Sequence, residues 1–211
     1  MFLSCRQALS STQCRYSCSF PEMPSVLLLK AQSDEAKSET EDPYVSTLSH
    51  HNFHVRLIHS LDFQFHSLEN LAERLNGPNN YSEIKPGSKP LLLPIGSLSS
   101  HKIHEKLKER GVAVEELEVY KTVPHPALKD QMEEVVKQNI PDVAVFFSPS
   151  GISFSKPIMT EAFISKVKFI AIGPTTKRAL EDAGLPVAST SAKPNPDCLL
   201  DAINSALKEE S

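Results

Sequence analysis

The sequence predicts an α/β protein of two lobes joined by a two-stranded linker. Three observations carry that prediction. Short unbroken apolar runs alternate with amphipathic helical stripes, as in parallel sheets covered on both faces. Two segments far apart in the chain, 61–65 and 117–123, alternate apolar and polar residues with the period of half-exposed strands. Two strand-to-helix loops rich in small hydroxyl residues follow neighbouring apolar runs near the carboxyl terminus.

The elements follow in chain order. Val26, Leu27, Leu28 and Leu29 form a run suited to a strand buried on both faces. After an acidic loop over 33–41, Asp42 and Pro43 supply a cap and a first-turn proline for a helix over 44–51, which Asn52 closes. Residues 55–58 make the next strand, which completes a βαβ opening, and 61–65 make the first linker strand. A helix over 68–75 places Leu68, Leu71, Ala72 and Leu75 on one face and stops at Gly77. A stretch rich in Pro, Gly and Asn (77–90) leads to a strand over 91–95 and a helix over 99–110, ended by Gly111.

Beyond the second linker strand, Leu128, Met132, Val135 and Val136 form a helical stripe. Residues 143–147 and 167–172 are buried strands, and a helix over 176–183 ends before Gly184. Asn195 and Pro196 open a last helix with Leu199, Leu200, Ile203 and Leu207 inward. The opening βαβ unit has to join these carboxyl-terminal strands, because neither piece has enough strands alone. The chain thus divides into an extension over 1–23, a discontinuous first lobe of 24–58 plus 124–211, and a second lobe over 61–120 carrying a linker strand at each end.

Composition narrows the function. The net charge is −4, and the 22 Lys and Arg are scattered rather than gathered into a basic stripe, which argues against nucleic-acid binding. No apolar stretch approaches the ~20 residues of a membrane span. Cys5, Cys14, Cys18 and Cys198 include no CxxC pair, so a reducing, cytoplasmic setting is expected rather than a disulfide framework. The first residues are rich in Ser and Cys, carry Arg6 and Arg15, and have no acid before Glu22, a weak likeness to a mitochondrial presequence. Their composition fits better an upstream extension before Met23. His50, His51 and His54 cluster, and His101 and His104 are spaced i, i+3, but no carboxylate or cysteine completes a zinc pattern, so no metal site is expected.

The chemistry concentrates in the two loops. Ser148, Pro149, Ser150 and Gly151 follow one buried strand, and Gly173, Pro174, Thr175 and Thr176 follow the next. Open parallel sheets bind ligands outside the carboxyl ends of their strands. Hydroxyls and free N–H groups at a helix start suit a carboxylate or phosphate. Serine and threonine also serve there as plain helix caps; it is the pairing on adjacent units that favours binding. Lys168 adds charge near the second loop or is simply solvated. The absence of GxGxxG or Walker loops speaks against a flavodoxin-like nucleotide binder.

The segments VAVFFSPSGI (143–152), KFIAIGPTTKRALEDAGLPV (168–187), ELEVYKTVPHP (116–126) and LLLPIGS (91–97) resemble the second half of uroporphyrinogen-III synthases, in that family's order. MPSVLLLK (23–30), EDPYVSTL (41–48) and LIHSLDFQF (57–65) resemble the family's start. The resemblance implies two flavodoxin-like lobes on a two-stranded linker with the active site in the cleft, and a carbon–oxygen lyase of haem biosynthesis. It implies hydroxymethylbilane, a linear tetrapyrrole octacarboxylate, as substrate of a monomer without metal or organic cofactor. The substrate loses its hydroxyl as water and closes with inversion of its last ring. Tyr120 matches the family's linker tyrosine and would hydrogen-bond to or protonate the departing hydroxyl; Ser148, Ser150, Gly151, Thr175 and Thr176 would hold the carboxylates.

The chain departs from the family in one respect. The family's second lobe repeats the loops of the first, and here each signature occurs once, with the gap between Tyr81 and Lys89, as an exon-skipped transcript would produce. A lobe so shortened has little surface to bury against its ordering cost. The expectation is a well-folded first lobe, a loose second lobe, and low activity. The alternative is a non-catalytic isoform that binds tetrapyrrole or pairs with another subunit.

Overall fold

The computed structural model describes residues 23–31, 41–76 and 90–208. All but the last residue of the extension over 1–23 and of the acidic loop over 33–41, and most of the Pro/Gly-rich stretch, lie outside the described residues. Among those described, no helix is long and apolar enough to cross a membrane.

The elements are β1 (Ser25–Ala31), α1 (Pro43–His50), β2 (His54–Phe65), α2 (Leu68–Asn76), β3 (Leu91–Gly96), α3 (Lys102–Glu109), β4 (Val114–Pro124), α4 (Leu128–Gln138) and β5 (Val143–Phe146). There follow α5 (Pro149–Ser155), α6 (Glu161–Lys166), β6 (Lys168–Ala171), α7 (Pro174–Asp182), β7 (Val187–Thr190) and α8 (Pro196–Lys208). The strands form one seven-stranded sheet in the order β3-β4-β2-β1-β5-β6-β7. Every neighbouring pair is parallel except β2 with β4.

Around β1 the sheet is wound on both faces. Leu27, Leu29, Ala144, Phe146 and Phe169 meet α4, α5, α6 and α7 through Met132, Ile152, Phe163 and Leu180. Val26, Leu28, Val145 and Ile170 meet α1 and α8 through Leu48, Leu199 and Ile203. This two-sided burial is why β1, β5 and β6 read as apolar runs. The helix signals act as expected: Asp42 accepts from the N–H of Tyr44 at 2.9 Å ahead of Pro43, and Asn52 closes α1 with φ 61°. Asn195 accepts from the N–H of Cys198 at 2.8 Å to open α8.

Three readings change. Residues 55–58 and 61–65 are one strand, because β2 runs unbroken along β1 and then along β4. Its pairing shifts where Lys30 opposes His59 and Ala31 opposes Leu61, leaving Ser60 as the extra residue of a bulge that bends the strand. Second, α6 and β7 went unread: α6 is six residues long, and β7 is a half-buried edge of Val, Ala, Ser and Thr without strict alternation.

Third, the apolar stripe of α2 is largely uncovered, with Leu68 51% and Leu75 61% exposed, and α3 buries no residue at all. The physical reason is the narrowness of the β3–β4 ribbon beneath them. These helices are tied down instead by polar contacts: Arg74 forms an ion pair with both carboxylate oxygens of Glu115 at 2.7 and 2.8 Å, and His101 and His104 meet Glu116 at 2.9 and 3.0 Å.

Candidate functional site

The parallel strands β2, β1, β5, β6 and β7 all end on one side, and their carboxyl ends gather polar groups. After β5, Ser148 caps α5, its Oγ accepting from the N–H of Gly151 at 3.0 Å. Gly151 is buried so closely that an added Cβ would lie 2.9 Å from Ser60 Oγ and 3.3 Å from Ser148 Oγ. Ser60 is fully buried, and its Oγ has no hydrogen-bond partner among the described residues. After β6, extended Gly173 precedes α7 and offers no side-chain cap, so its first turn is left without one.

The predicted loop residues fall as follows. Ser150 is half-buried and Thr175 exposed, whereas Thr176 is only 3% exposed. Thr176 therefore presents little of either its backbone or its hydroxyl at the surface. Both loops lie on the same face of the sheet, since Ile152 of α5 and Leu180 of α7 share one core cluster. Lys168 is a correction: as the first residue of β6 it lies at the far end of that strand from Gly173, and its Nζ donates to the Ala206 carbonyl at 2.8 Å.

Tyr120 occupies the linker. β2 and β4 pair antiparallel from Leu61 opposite Pro124 to Phe65 opposite Tyr120. The Tyr120 ring lies against Gly96, where an added Cβ would come within 2.3 Å of it. Ser97 clips the loop after β3 to the same place, donating its N–H to the Tyr120 carbonyl at 3.0 Å and accepting from the N–H of Thr122 at 3.2 Å. A cavity of about 240 Å³ opens here, lined by Gly96, Ser99, His101, Tyr120 and Thr122 among others. None of the β5 and β6 loop residues line it, so the predicted site residues form two groups rather than one.

Sequence reading missed two residues at these strand ends. Lys30 pairs with Asp42 at 2.5 Å and lies 5.0 Å from the Tyr44 ring centroid and 5.5 Å from that of Phe147. Burial, and then the nearby Asp42 charge, push the Tyr44 phenol above its usual range. A lysine ending an apolar run was the available signal. Ser60 gave a fainter one, a small hydroxyl in an apolar stretch. Among the described residues no group of three or more His, Cys, Asp or Glu could hold a metal ion. The His101–His104 pair does face a carboxylate, Glu116, which lies across the ribbon and was invisible to local spacing.

Residues 46–201 match the family described as uroporphyrinogen-III synthase HemD. The chain is 32% identical over 124 residues to the uroporphyrinogen-III synthase of Saccharomyces cerevisiae, covering 54% of this chain and 44% of the yeast protein. It is 32% identical over 127 residues to that of Chlorobaculum parvum, covering 57% and 51%. The chain thus spans about half the length of these relatives. Its fold is similar to a mutant uroporphyrinogen III synthase of Thermus thermophilus (TM-score 0.59, 12% identity, 88% of this chain and 99% of that one). It is similar to nearly the same degree to uroporphyrinogen-III synthetase from Helicobacter pylori (TM-score 0.58, 12% identity, 87% and 99%).

Proposed function

The chain belongs to the uroporphyrinogen-III synthase family, and we propose that it carries out the cyclising dehydration of hydroxymethylbilane in the cytoplasm, as a monomer and at low rate. The observation that supports this most is the pairing of two polar loops at the carboxyl ends of adjacent parallel strands, Ser148–Gly151 after β5 and Gly173–Thr176 after β6, on one face of the sheet. In the proposal, 24–58 with 124–211 form the anchoring lobe and 61–120 a shortened second lobe.

Each residue then has a role. Ser150 and Thr175 offer hydroxyls to the acetate and propionate arms. Ser148 has committed its oxygen as an acceptor to Gly151 and keeps its O–H to donate. Gly151, its own N–H given to Ser148 Oγ, lets the backbone of that loop pack closely, Thr176 shapes the first turn of α7, and the uncapped start of α7 suits an anion. Tyr120 hydrogen-bonds the departing hydroxyl from the linker and donates a proton as it leaves as water. No metal or organic cofactor enters the proposal.

The test is the product. Hydroxymethylbilane incubated with the full chain should close to the type III isomer above the spontaneous type I background, and Tyr120→Phe should lower that fraction at least tenfold. Type III formation unaffected by Tyr120→Phe would end the acid role. A second reading, a non-catalytic partner of another subunit, is favoured by the uncovered Leu68, Leu75, Leu98 and Ile103. It predicts type I product only, together with co-elution with a full-length synthase.

A further inference from the structure

We propose that Phe63 and Phe65, with the ring of Tyr120, form an aromatic face that stacks on a pyrrole ring of the substrate and stabilises the cation left when its hydroxyl departs. The inference rests on the dehydration proposed above and names the surface on which it occurs.

Large apolar side chains normally turn inward, yet Phe63 is 40% and Phe65 66% exposed. Their placement follows from register. Phe65 stands opposite Tyr120 and Phe63 opposite Thr122 in the antiparallel linker, and residues directly opposite project to the same face. The Phe63 ring meets Tyr120 edge-on at 5.4 Å and 90°, and the Phe65 ring lies 6.1 Å away at 58°. Tyr120 and Thr122 also line the 240 Å³ cavity, so the aromatic face continues its wall.

Two further facts separate this patch from a merely uncovered lobe. The other exposed large apolar residues among those described are aliphatic, and Phe63 and Phe65 alone are aromatic. Lys121, which would repel a cation, pairs with Gln64 and by strand alternation leaves on the opposite face.

The chemistry calls for such a surface. As the carbon–oxygen bond breaks, its electron pair leaves with the oxygen, which takes a proton and departs as water. The positive charge is then shared between the methylene carbon and the pyrrole nitrogen. Aromatic faces attract a cation through the ring quadrupole and offer no lone pair to trap it, unlike water or a carboxylate. The charge passes to the terminal ring when its substituted carbon attacks and a carbon–carbon bond forms; the older bond from that carbon to the neighbouring methylene bridge then breaks and re-forms at the ring's unsubstituted carbon. Loss of a proton at the end of the rearrangement returns the one consumed.

The experiment follows type III formation from hydroxymethylbilane by the full chain and by Phe65 and Phe63 variants, with kcat and KM separated. Phe65→Leu should lose tenfold or more in kcat while KM stays within about threefold, and Phe65→Tyr should retain most of the rate. Replacing Phe65 with phenylalanines carrying one, two and three ring fluorines should lower kcat stepwise at nearly constant size, a trend that packing alone would not give. An active parent chain whose fluorinated forms or Phe65→Leu variant keep full kcat would overturn the inference and leave the dehydration standing. A parent chain that yields only type I product would overturn the dehydration and this inference with it.

Discussion

The strands flanking β1 and the β3–β4 ribbon use the same α/β grammar, but only the first has surface enough to bury its helices. α8 places Leu199, Ala202, Ile203 and Ala206 in one cluster with Val26, Leu28, Val145 and Ile170 of the adjacent strands β1, β5 and β6. α2 carries an equally clear apolar stripe, and α3 two apolar residues on one side, yet neither covers them. Amphipathicity says which face a helix would bury; the number of strands beneath decides whether it does. The ribbon keeps its helices by surface polar contacts to Glu115 and Glu116, which acid weakens, and salt too where they are ion pairs.

The comparison breaks most readily in the core. Phe163→Ala or Phe169→Ala, each removing a fully buried ring from the cluster around Phe146, should cost about 3–5 kcal/mol. Leu75→Ala on α2 should stay within about 0.5 kcal/mol, as surface changes do. Urea titration by far-ultraviolet circular dichroism measures both. Equal losses would mean that α2 is covered in solution by something beyond the described residues.

Close approach sharpens the contrast at the site itself. Gly151→Ala drives a methyl into Ser60 Oγ at 2.9 Å and should destabilise by about 1–3 kcal/mol, the usual cost of overpacking. Ser60→Gly in the same chain should recover much of that loss, since the clash is with the serine side chain. Gly173→Ala is the matched control, as a Cβ there meets nothing within 4 Å and its φ of −179° is extended backbone. Thermal unfolding of the parent, Gly151→Ala, Ser60→Gly and the double variant gives the cycle. At the other group, Gly96→Ala should leave global stability almost unchanged while moving the Tyr120 ring, visible as a change in near-ultraviolet dichroism.

Much of this was legible in the residues, for identifiable reasons. The runs 26–29, 143–147 and 167–172 announce a sheet covered on both faces because only such strands can be apolar at every position. The alternation around Phe63 and Tyr120 announced a ribbon with one open face, and the two segments pair as antiparallel neighbours. What stayed hidden is what depends on contacts between distant residues. The bulge at Ser60 exists only relative to β1, and Glu116 meets two histidines only because β4 passes beneath α3. The burial of Thr176 could not be told from the exposure of Thr175, its neighbour, until the helix was placed. Of the two readings of Lys168, the one that puts its charge near Gly173 fails on the length of β6 between them.

The smallest effect expected is also the most specific to the ribbon. Glu116 accepts hydrogen bonds from His101 and His104, and the bond from His101 above all holds its carboxyl below the usual 4.5. A carboxyl whose folded pKa is depressed contributes stability above its unfolded value and loses it as pH falls through the folded one. The tether of α3 should therefore hold at pH 5 and release progressively below about 4.5, with Glu115 and its Arg74 partner on α2 following the same sign. Glu115 is exposed and Glu116 half-buried at the surface, so the effect is local and salt-screened. Amide exchange read residue by residue should show α2 and α3 opening in that window while α7 and α8, held by burial, stay protected. Glu116→Gln should abolish the pH dependence of α3 exchange and leave that of α2 intact. If all four helices instead open together as pH falls, the ribbon and the β1-centred sheet form one cooperative unit, and the distinction drawn between them fails.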